Sequence, residues 1–198
     1  MLKKWKDQPI VSTVLVAVNV MVYILCSLTG ELLYDRGQLD AFDVLLNKEY
    51  DRIFWSMFLH SGVSHLFNNM VILFFLGSMI EKEVGHFRYA LLYLISGIGG
   101  NLLSLLAKVV NGDVAASLGA SGAIFGLDGV LLAMVLFSGR EMENVTPTRV
   151  LLMILYSLYS GFTGRNIDNA AHIGGLLTGF LVTSIICFWQ RSRRRAFS

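Results

Sequence analysis

Six long apolar runs constrain the fold of this chain more than any other feature of its sequence. They cover roughly residues 9–28, 65–80, 87–107, 121–137, 147–162 and 170–189. An α-helix needs about 20 apolar residues to cross the hydrocarbon core of a bilayer, because each residue adds about 1.5 Å. Of the 198 residues, 55% are hydrophobic and 15% are charged, whereas about a quarter are charged in soluble domains. The sequence therefore predicts an all-α membrane protein with six transmembrane helices.

Basic residues are concentrated at the two ends of the chain. They are Lys3, Lys4 and Lys6 before the first run, and Arg191, Arg193, Arg194 and Arg195 after the last. Cationic flanks tend to remain in the cytoplasm, so both termini are predicted to be cytoplasmic. The first run lacks a small-residue cleavage site and is expected to remain as a helix. Without an internal repeat or a low-complexity linker, residues 1–198 are expected to form a single domain.

Polar side chains are rare within the apolar runs, and their positions are informative because a lipid-facing helix has no use for them. The second, fourth and sixth runs contain His65, Asn69, Ser121, Asp128 and His172, and Asp168 precedes the sixth. These three runs cross the membrane in the same direction, so their first residues share one face, predicted to be the outer one. We therefore expect His65, Asn69, Ser121 and His172 to lie at similar depth.

The fourth run contains the segment Gly119-Ala120-Ser121-Gly122. A helix from Ser121 to Phe137 would be about 25 Å long, which is less than the hydrocarbon core of about 30 Å. Ser121 is therefore expected on the order of 5 Å below the outer hydrocarbon boundary. The residues before it would approach as non-helical backbone, which membranes tolerate only where protein or water surrounds it.

Small residues form stripes along the fourth and sixth runs. The first stripe contains Gly122, Gly126 and Gly129, and the second follows His172 with Gly175 and Gly179. Such stripes let two helix backbones approach closely. The approach could bring Ser121 within hydrogen-bonding reach of His172, the arrangement in which a histidine activates a serine nucleophile.

These motifs, in this order, resemble those of the rhomboid family of intramembrane serine proteases. The residues that carry the resemblance are Arg52 in the first outer loop, His65 and Asn69 as His-xxx-Asn, Gly119 to Gly122 as Gly-x-Ser-Gly, and Ala171, His172, Gly175 and Gly179 as Ala-His-xx-Gly-xxx-Gly. The resemblance covers nearly the whole chain and implies a bundle of six transmembrane helices of the bacterial core type. A soluble nucleophile elbow, Gly-x-Ser-x-Gly, does not fit because position 123 is Ala123.

The resemblance also implies roles for individual residues. Ser121 would be the nucleophile and His172 the general base, with no acidic third member. The oxyanion hole would consist of the Ser121 backbone N–H and the side chains of His65 and Asn69, which are one helical turn apart. Gly119, Gly122, Phe125, Gly175 and Gly179 would support the site. Phe125 stands where the family often has a tyrosine stacked on the histidine, and Asp51 stands where a tryptophan commonly precedes the arginine.

The resemblance further implies the partners and the location of the protein. Substrates would be membrane proteins with a helix-destabilised transmembrane segment, cleaved near the outer face of a bacterial plasma membrane. Besides the lipid bilayer and such substrates we expect no nucleic acid and no cofactor, and the oligomeric state is open. A metal site of His60, His65 and His172 is not expected, since no carboxylate or cysteine completes the set.

Two alternatives to a protease remain. One is a catalytically inactive rhomboid-like scaffold that binds membrane clients. The other is a small transporter, for which Asp128 and the interrupted fourth run are the main support. We expect Asp128 to be a neutral, hydrogen-bonded acid facing the bundle, near Tyr156 or Tyr159, or else the polar floor of a water cavity. Asp168, one turn before His172, is interpreted as a solvated helix N-terminal residue rather than as a catalytic acid.

Overall fold

The computed structural model describes residues 8–138, 145–163 and 167–196, which together contain nine α-helices and no strand. The N-terminal lysines lie outside the described residues. The helices are α1 (Ile10–Thr29), α2 (Leu32–Gly37), α3 (Ala41–Leu45), α4 (Arg52–Trp55), α5 (Val63–Val84), α6 (His86–Asn111), α7 (Ser121–Phe137), α8 (Pro147–Thr163) and α9 (Asn169–Ala196). A short 3-10 helix, Ser56–Phe58, follows α4 directly.

Four of these helices are long and apolar enough to cross a membrane. They are α1, α5, α6 and the Asn169–Arg193 part of α9. Helices α7 and α8 are apolar but shorter, and α7 has 17 residues. The prediction of an all-α membrane protein is confirmed. Helix α5 begins two residues earlier than predicted, at Val63, and α9 continues past residue 189, because helical hydrogen bonding does not stop where hydrophobicity stops.

Helix α7 is the centre of the bundle. Every residue from Gly122 to Leu131 is buried, and α5, α6, α8 and α9 all pack against it. A helix that is apolar on all sides is expected in such a position. Because α7 begins at Ser121, this residue lies at the end of the most enclosed helix of the protein.

A buried carboxylate joins α1 to α5. The side chain of Glu81 accepts hydrogen bonds from the backbone N–H groups of Val11 and Ser12, at 2.7 and 2.9 Å, and from the Ser12 hydroxyl at 2.7 Å. The first N–H groups of a helix have no partner within the helix, so an acceptor at this point satisfies them. The His86 ring nitrogen lies 2.5 Å from the same carboxylate.

The connection between α1 and α5 folds around Arg52, whose side chain is buried. Its guanidinium contacts the carboxylates of Glu49 and Asp43 at 2.7 and 2.8 Å. It also donates to the carbonyl oxygens of Asp35 and Gln38, at 2.6 and 3.1 Å. Since the fork of an arginine offers five donors, one side chain can hold several turns of a loop together.

Candidate active site

Ser121 and His172 lie side by side although 51 residues separate them. Ser121 is the first residue of α7, and His172 is in the first turn of α9. The Ser121 hydroxyl oxygen is 2.9 Å from Nε2 of His172, within hydrogen-bonding distance. The His172 side chain is buried. The geometry is that of a hydroxyl whose proton can pass to an imidazole.

The two helices approach closely because of their glycines. A Cβ atom at Gly175 would overlap the carbonyl oxygen of Gly122 and lie 2.8 Å from its carbonyl carbon. A Cβ atom at Gly179 would likewise overlap the carbonyl oxygen of Gly126. Backbone therefore lies directly on backbone along this face, as small residues in membrane helices permit. This contact sets the separation between Ser121 and His172.

The imidazole of His172 is held on one side by Phe125. The two rings are stacked, with centroids 4.2 Å apart and planes inclined by 14°. Phe125 is one turn after Ser121 on α7, so a single helix carries both the serine and the ring that orients its histidine. Stacking requires no hydroxyl, which explains how phenylalanine can occupy this position.

Gly119 shapes the approach to Ser121. Its φ angle is 133°, a conformation that other residues rarely adopt. Its N–H donates to the carbonyl oxygen of Ser56 at 2.8 Å. A Cβ atom here would lie 3.0 Å from the Cε1 and Nε2 atoms of His65 and 3.7 Å from the Ser121 hydroxyl oxygen. The missing side chain therefore leaves room for the His65 ring beside the serine.

Helix α5 carries His65 and Asn69, of which His65 lies next to Gly119. His65 Nδ1 lies 3.1 Å from the hydroxyl of Ser61, which precedes it by four residues. Asn69, one turn after His65, is buried, and its amide nitrogen donates no hydrogen bond to any described residue. Unpaired buried donors are rare and need an explanation.

The Asp168 side chain bonds to Ser104 of α6 rather than to the ring of His172. Its carboxylate accepts hydrogen bonds from the Ser104 hydroxyl and from the backbone N–H of Ala171, the latter at 2.9 Å. Burial would raise the pKa of Asp168, but hydrogen bonds from Ser104, Ser117 and Ala171 and the charge of Lys108 hold this pKa below its usual value. The interpretation of Asp168 as a solvated residue was therefore wrong, whereas its place at the start of a helix is confirmed. Within the described part of the chain, His172 Nδ1 has no partner.

Asp128 is buried in the bundle, 3% exposed, but it does not lie against a tyrosine of α8 as expected. Tyr156 and Tyr159 are 74% and 67% exposed. No described residue donates a hydrogen bond to the Asp128 carboxyl group, so the expected bond to a tyrosine of α8 is absent. These tyrosines lie on the exposed side of α8, and the spacing along the chain could not reveal which side faces α7.

His60 lies beside the site. It is fully buried, and its ring centroid is 5.0 Å from that of His65, edge to face. Burial and the neighbouring His65 lower the pKa of His60 to about 4. Neither ring nitrogen has a hydrogen-bond partner among the described residues. His60 is therefore a neutral part of the wall behind His65.

Comparison with known proteins decides the family. The model of the rhomboid domain matches residues 47–189, which include Ser121, His172, His65 and Asn69. The chain belongs to the rhomboid family. This family includes serine intramembrane proteases, and this rhomboid is an integral membrane protein that crosses the bilayer several times.

Curated relatives of this rhomboid come from bacteria and plants. It is 30% identical over 184 residues to the rhomboid protease GluP of Bacillus subtilis, covering 90% of this chain and 35% of that one. It is 34% identical over 148 residues to the putative rhomboid protease YdcA of the same organism, covering 75% and 72%. RHOMBOID-like protein 4 of Arabidopsis thaliana is 40% identical over 155 residues, covering 78% and 38%. The chain spans between 38% and 43% of the length of the first three plant relatives.

Several residues that build the site of this rhomboid were missed in the sequence. Asn101 of α6 donates to the hydroxyl of Ser56 at 2.9 Å and to the carbonyl oxygen of Ile53 at 2.7 Å. Ser56 in turn accepts the Gly119 N–H. Ser104 holds Asp168. The available signal was a few small polar residues in apolar runs, but their partners are more than 40 residues away.

Proposed function

We propose that this rhomboid protein is an intramembrane serine endopeptidase with a Ser121–His172 dyad. The observation that carries the proposal is the 2.9 Å contact between the Ser121 hydroxyl and His172 Nε2 in a bundle of apolar helices. The hydroxyl of a half-buried serine thus lies against a buried histidine ring. Their contact is the first requirement for activating a serine as a nucleophile.

In the proposed reaction, Nε2 of His172 accepts the hydroxyl proton while the Ser121 oxygen attacks the carbonyl carbon of a substrate peptide bond. His172 then gives this proton to the departing amine, which leaves an ester on Ser121. A water molecule, deprotonated by the same imidazole, hydrolyses the ester. No described residue accepts a hydrogen bond from Nδ1, so stacking on Phe125 takes over the orientation that an acid supplies in a triad.

The negative charge on the substrate carbonyl oxygen would be stabilised by His65, Asn69 and the Ser121 N–H. If the Ser61 hydroxyl donates to Nδ1 of His65, the ring proton is on Nε2, the atom that faces the space beside Gly119. Asn69 contributes a buried amide that is not otherwise engaged. Each such donor, oriented in advance, is typically worth about 3–4 kcal/mol of transition-state stabilisation.

The substrates would be membrane proteins whose transmembrane segment unwinds locally, because a helical peptide hides its amides in hydrogen bonds. Cleavage would occur near the outer face, since Ser121 lies at the first turn of a helix predicted to begin there. We place the protein in a bacterial plasma membrane, with both termini in the cytoplasm and residues 1–198 acting as one domain. The chain's relation to the rhomboid proteases of Bacillus subtilis supports this placement.

The experiment is cleavage of a transmembrane reporter protein in proteoliposomes. Wild type should cut the reporter in its membrane segment, and Ser121→Ala and His172→Ala should each lower kcat by at least about a thousandfold. Ser27→Ala is the matched control, because the exposed Ser27 hydroxyl donates to a carbonyl of its own helix. A wild-type protein that binds the reporter without cutting it would support the inactive scaffold instead.

A further inference from the structure

The ring of His65 has one hydrogen-bond partner among the described residues, the hydroxyl of Ser61. The Ser61 oxygen lies 3.1 Å from Nδ1 of His65. The neighbouring ring of His60 packs against His65 edge to face, with centroids 5.0 Å apart, and its nitrogens bond to no described residue. The hydrogen bond at one imidazole nitrogen decides which of the two nitrogens carries the proton. Ser61 is therefore the residue that can set the tautomer of His65.

The Ser61 hydroxyl is not used to cap helix α5. A serine at the start of a helix commonly accepts hydrogen bonds from the first N–H groups of that helix. Here the residue before the helix is Gly62, and no side chain caps the helix. The Ser61 side chain is also exposed. Neither helix capping nor core packing therefore explains why its hydroxyl lies against His65.

The backbone beside Ser61 is held by the outer connection. The hydroxyl of Tyr34 in α2 donates to the carbonyl oxygen of His60 at 2.7 Å. The His60 side chain is fully buried. The peptide bond between His60 and Ser61 thus has a fixed position, although the Ser61 side chain is exposed. Since this backbone is already ordered, less entropy is lost when the Ser61 hydroxyl is directed at His65.

The far side of the His65 ring faces the candidate active site. A Cβ atom added at Gly119 would lie 3.0 Å from Nε2 and Cε1 of His65 and 3.7 Å from the Ser121 hydroxyl oxygen. A hydroxyl that donates to Nδ1 leaves the ring proton on Nε2. We propose that Ser61 is a positioning residue that keeps His65 as an Nε2–H donor directed toward the substrate oxyanion. This inference deepens the proposed function and rests on it, since an oxyanion forms only if Ser121 attacks a peptide bond.

The opposite tautomer would have the opposite effect. If Nδ1 of His65 carried the proton, Nε2 would present a lone pair, which repels an oxyanion instead of binding it. The Ser61 hydroxyl therefore favours the ring that stabilises the transition state over the ring that opposes it. Losing one neutral hydrogen bond shifts an equilibrium by about tenfold or less, so its removal should lower activity without abolishing it.

Threonine and valine at position 61 test the hydroxyl with matched shapes. Ser61→Thr keeps the hydroxyl and should cleave the transmembrane reporter with a kcat within about twofold of wild type. Ser61→Val carries a methyl group instead, and its kcat should fall about tenfold with KM nearly unchanged, because only the transition state contains the oxyanion. Ser64→Ala is the control and should match wild type, because Ser64 is an exposed serine in the first turn of α5.

The tautomer of His65 is measured without any cleavage. Solid-state nitrogen NMR of protein labelled with ¹⁵N-histidine, in lipid, distinguishes protonated from unprotonated ring nitrogens. The His65 signals are those that are missing from His65→Gln. We expect a protonated Nε2 and an unprotonated Nδ1 in wild type and in Ser61→Thr, and a mixture of both tautomers in Ser61→Val.

The inference requires the tautomer and kcat to change together in Ser61→Val. A protonated Nδ1 in wild type, or the same tautomer in Ser61→Thr and Ser61→Val, would overturn it. A changed tautomer with the kcat of an active wild type would overturn it as well. If wild type cleaves no reporter while the tautomer still depends on Ser61, the protease proposal fails and the positioning of His65 by Ser61 stands.

Discussion

The phenyl ring of Phe125 lies flat against the imidazole of His172, with centroids 4.2 Å apart. Phe125 is one turn beyond Ser121 on α7, and His172 is on α9. The serine helix therefore fixes the orientation of the histidine directly. A dyad without an acidic third member depends on such a contact to keep its imidazole in place.

Replacing Phe125 tests this contact. Phe125→Leu should lower kcat about tenfold because the stacking energy of about 0.5–1.5 kcal/mol is lost and the ring can turn away from Ser121. Phe125→Tyr keeps the flat ring and should retain most of the activity. Steady-state cleavage of the transmembrane reporter measures both. Wild-type kcat in Phe125→Leu would show that stacking does not orient His172.

The contact between α7 and α9 predicts a large effect of one methyl group. Gly175→Ala would force the new Cβ atom into the backbone of Gly122, so the helices must separate at a cost of about 1–3 kcal/mol or more. Both the thermal midpoint and kcat should fall. Gly62→Ala is the control, because a Cβ atom there meets nothing within 4 Å and its backbone is extended. Thermal unfolding in detergent and reporter cleavage are measured for both variants. If Gly175→Ala and Gly62→Ala had the same thermal midpoint and the same kcat, the packing of α7 on α9 described here would be contradicted.

Asp168 distinguishes a dyad from a triad. Asp168→Asn keeps an acceptor for the Ala171 N–H but loses the charge that strengthens the bond from Ser104. We expect a stability loss of about 1 kcal/mol with kcat within about threefold of wild type. Cleavage assays and thermal unfolding on the same preparation measure the two effects. Abolished cleavage with unchanged stability would make Asp168 a catalytic residue.

Much of the fold and of the candidate site could be predicted from the sequence. The apolar runs indicate the helices, because in lipid the length and the hydrophobicity of a helix are coupled. Glycine spacing and crossing direction indicated that Ser121 and His172 could come close, and the resemblance to the rhomboid family named them as a pair. Helix rotation could not be predicted, since nothing in an amphipathic pattern distinguishes lipid from a neighbouring helix. This is why Asp128 was assigned a partner on the wrong side of α8.

Long-range polar contacts were equally hidden. The sequence alone predicts a solvated Asp168, because nothing marks its partner, Ser104, which is one small hydroxyl in a long apolar helix. The same holds for Asn101, which ties α6 to the segment that carries Ser56. Each contact forms only where particular turns of two segments, distant in sequence, lie at the same height in the bundle. Helix packing, rather than local sequence, determines which turns these are.

His60 predicts how stability depends on pH. Its pKa is lowered to about 4 in the folded protein from 6.5. Above pH 6.5 the His60 imidazole is neutral in both the folded and the unfolded protein, so its protonation does not lower the free energy of unfolding there. Between pH 6.5 and 4, His60 is protonated in the unfolded chain but stays neutral in the folded protein. The free energy of unfolding therefore falls by about 1.4 kcal/mol for each pH unit of acidification. His60→Gln should flatten the decline in thermal midpoint over this range. An identical slope in both proteins would show that His60 is not the source.

The most direct measurement of the central claim is covalent labelling of Ser121. A fluorophosphonate probe reacts only with a serine whose hydroxyl is activated by a neighbouring base. Purified wild type in detergent should be labelled on a single peptide that contains Ser121. Labelling should vanish in Ser121→Ala, and it should vanish in His172→Ala while both variants keep a cooperative thermal transition. Labelling that persists in Ser121→Ala, or that is unchanged in folded His172→Ala, would contradict the dyad.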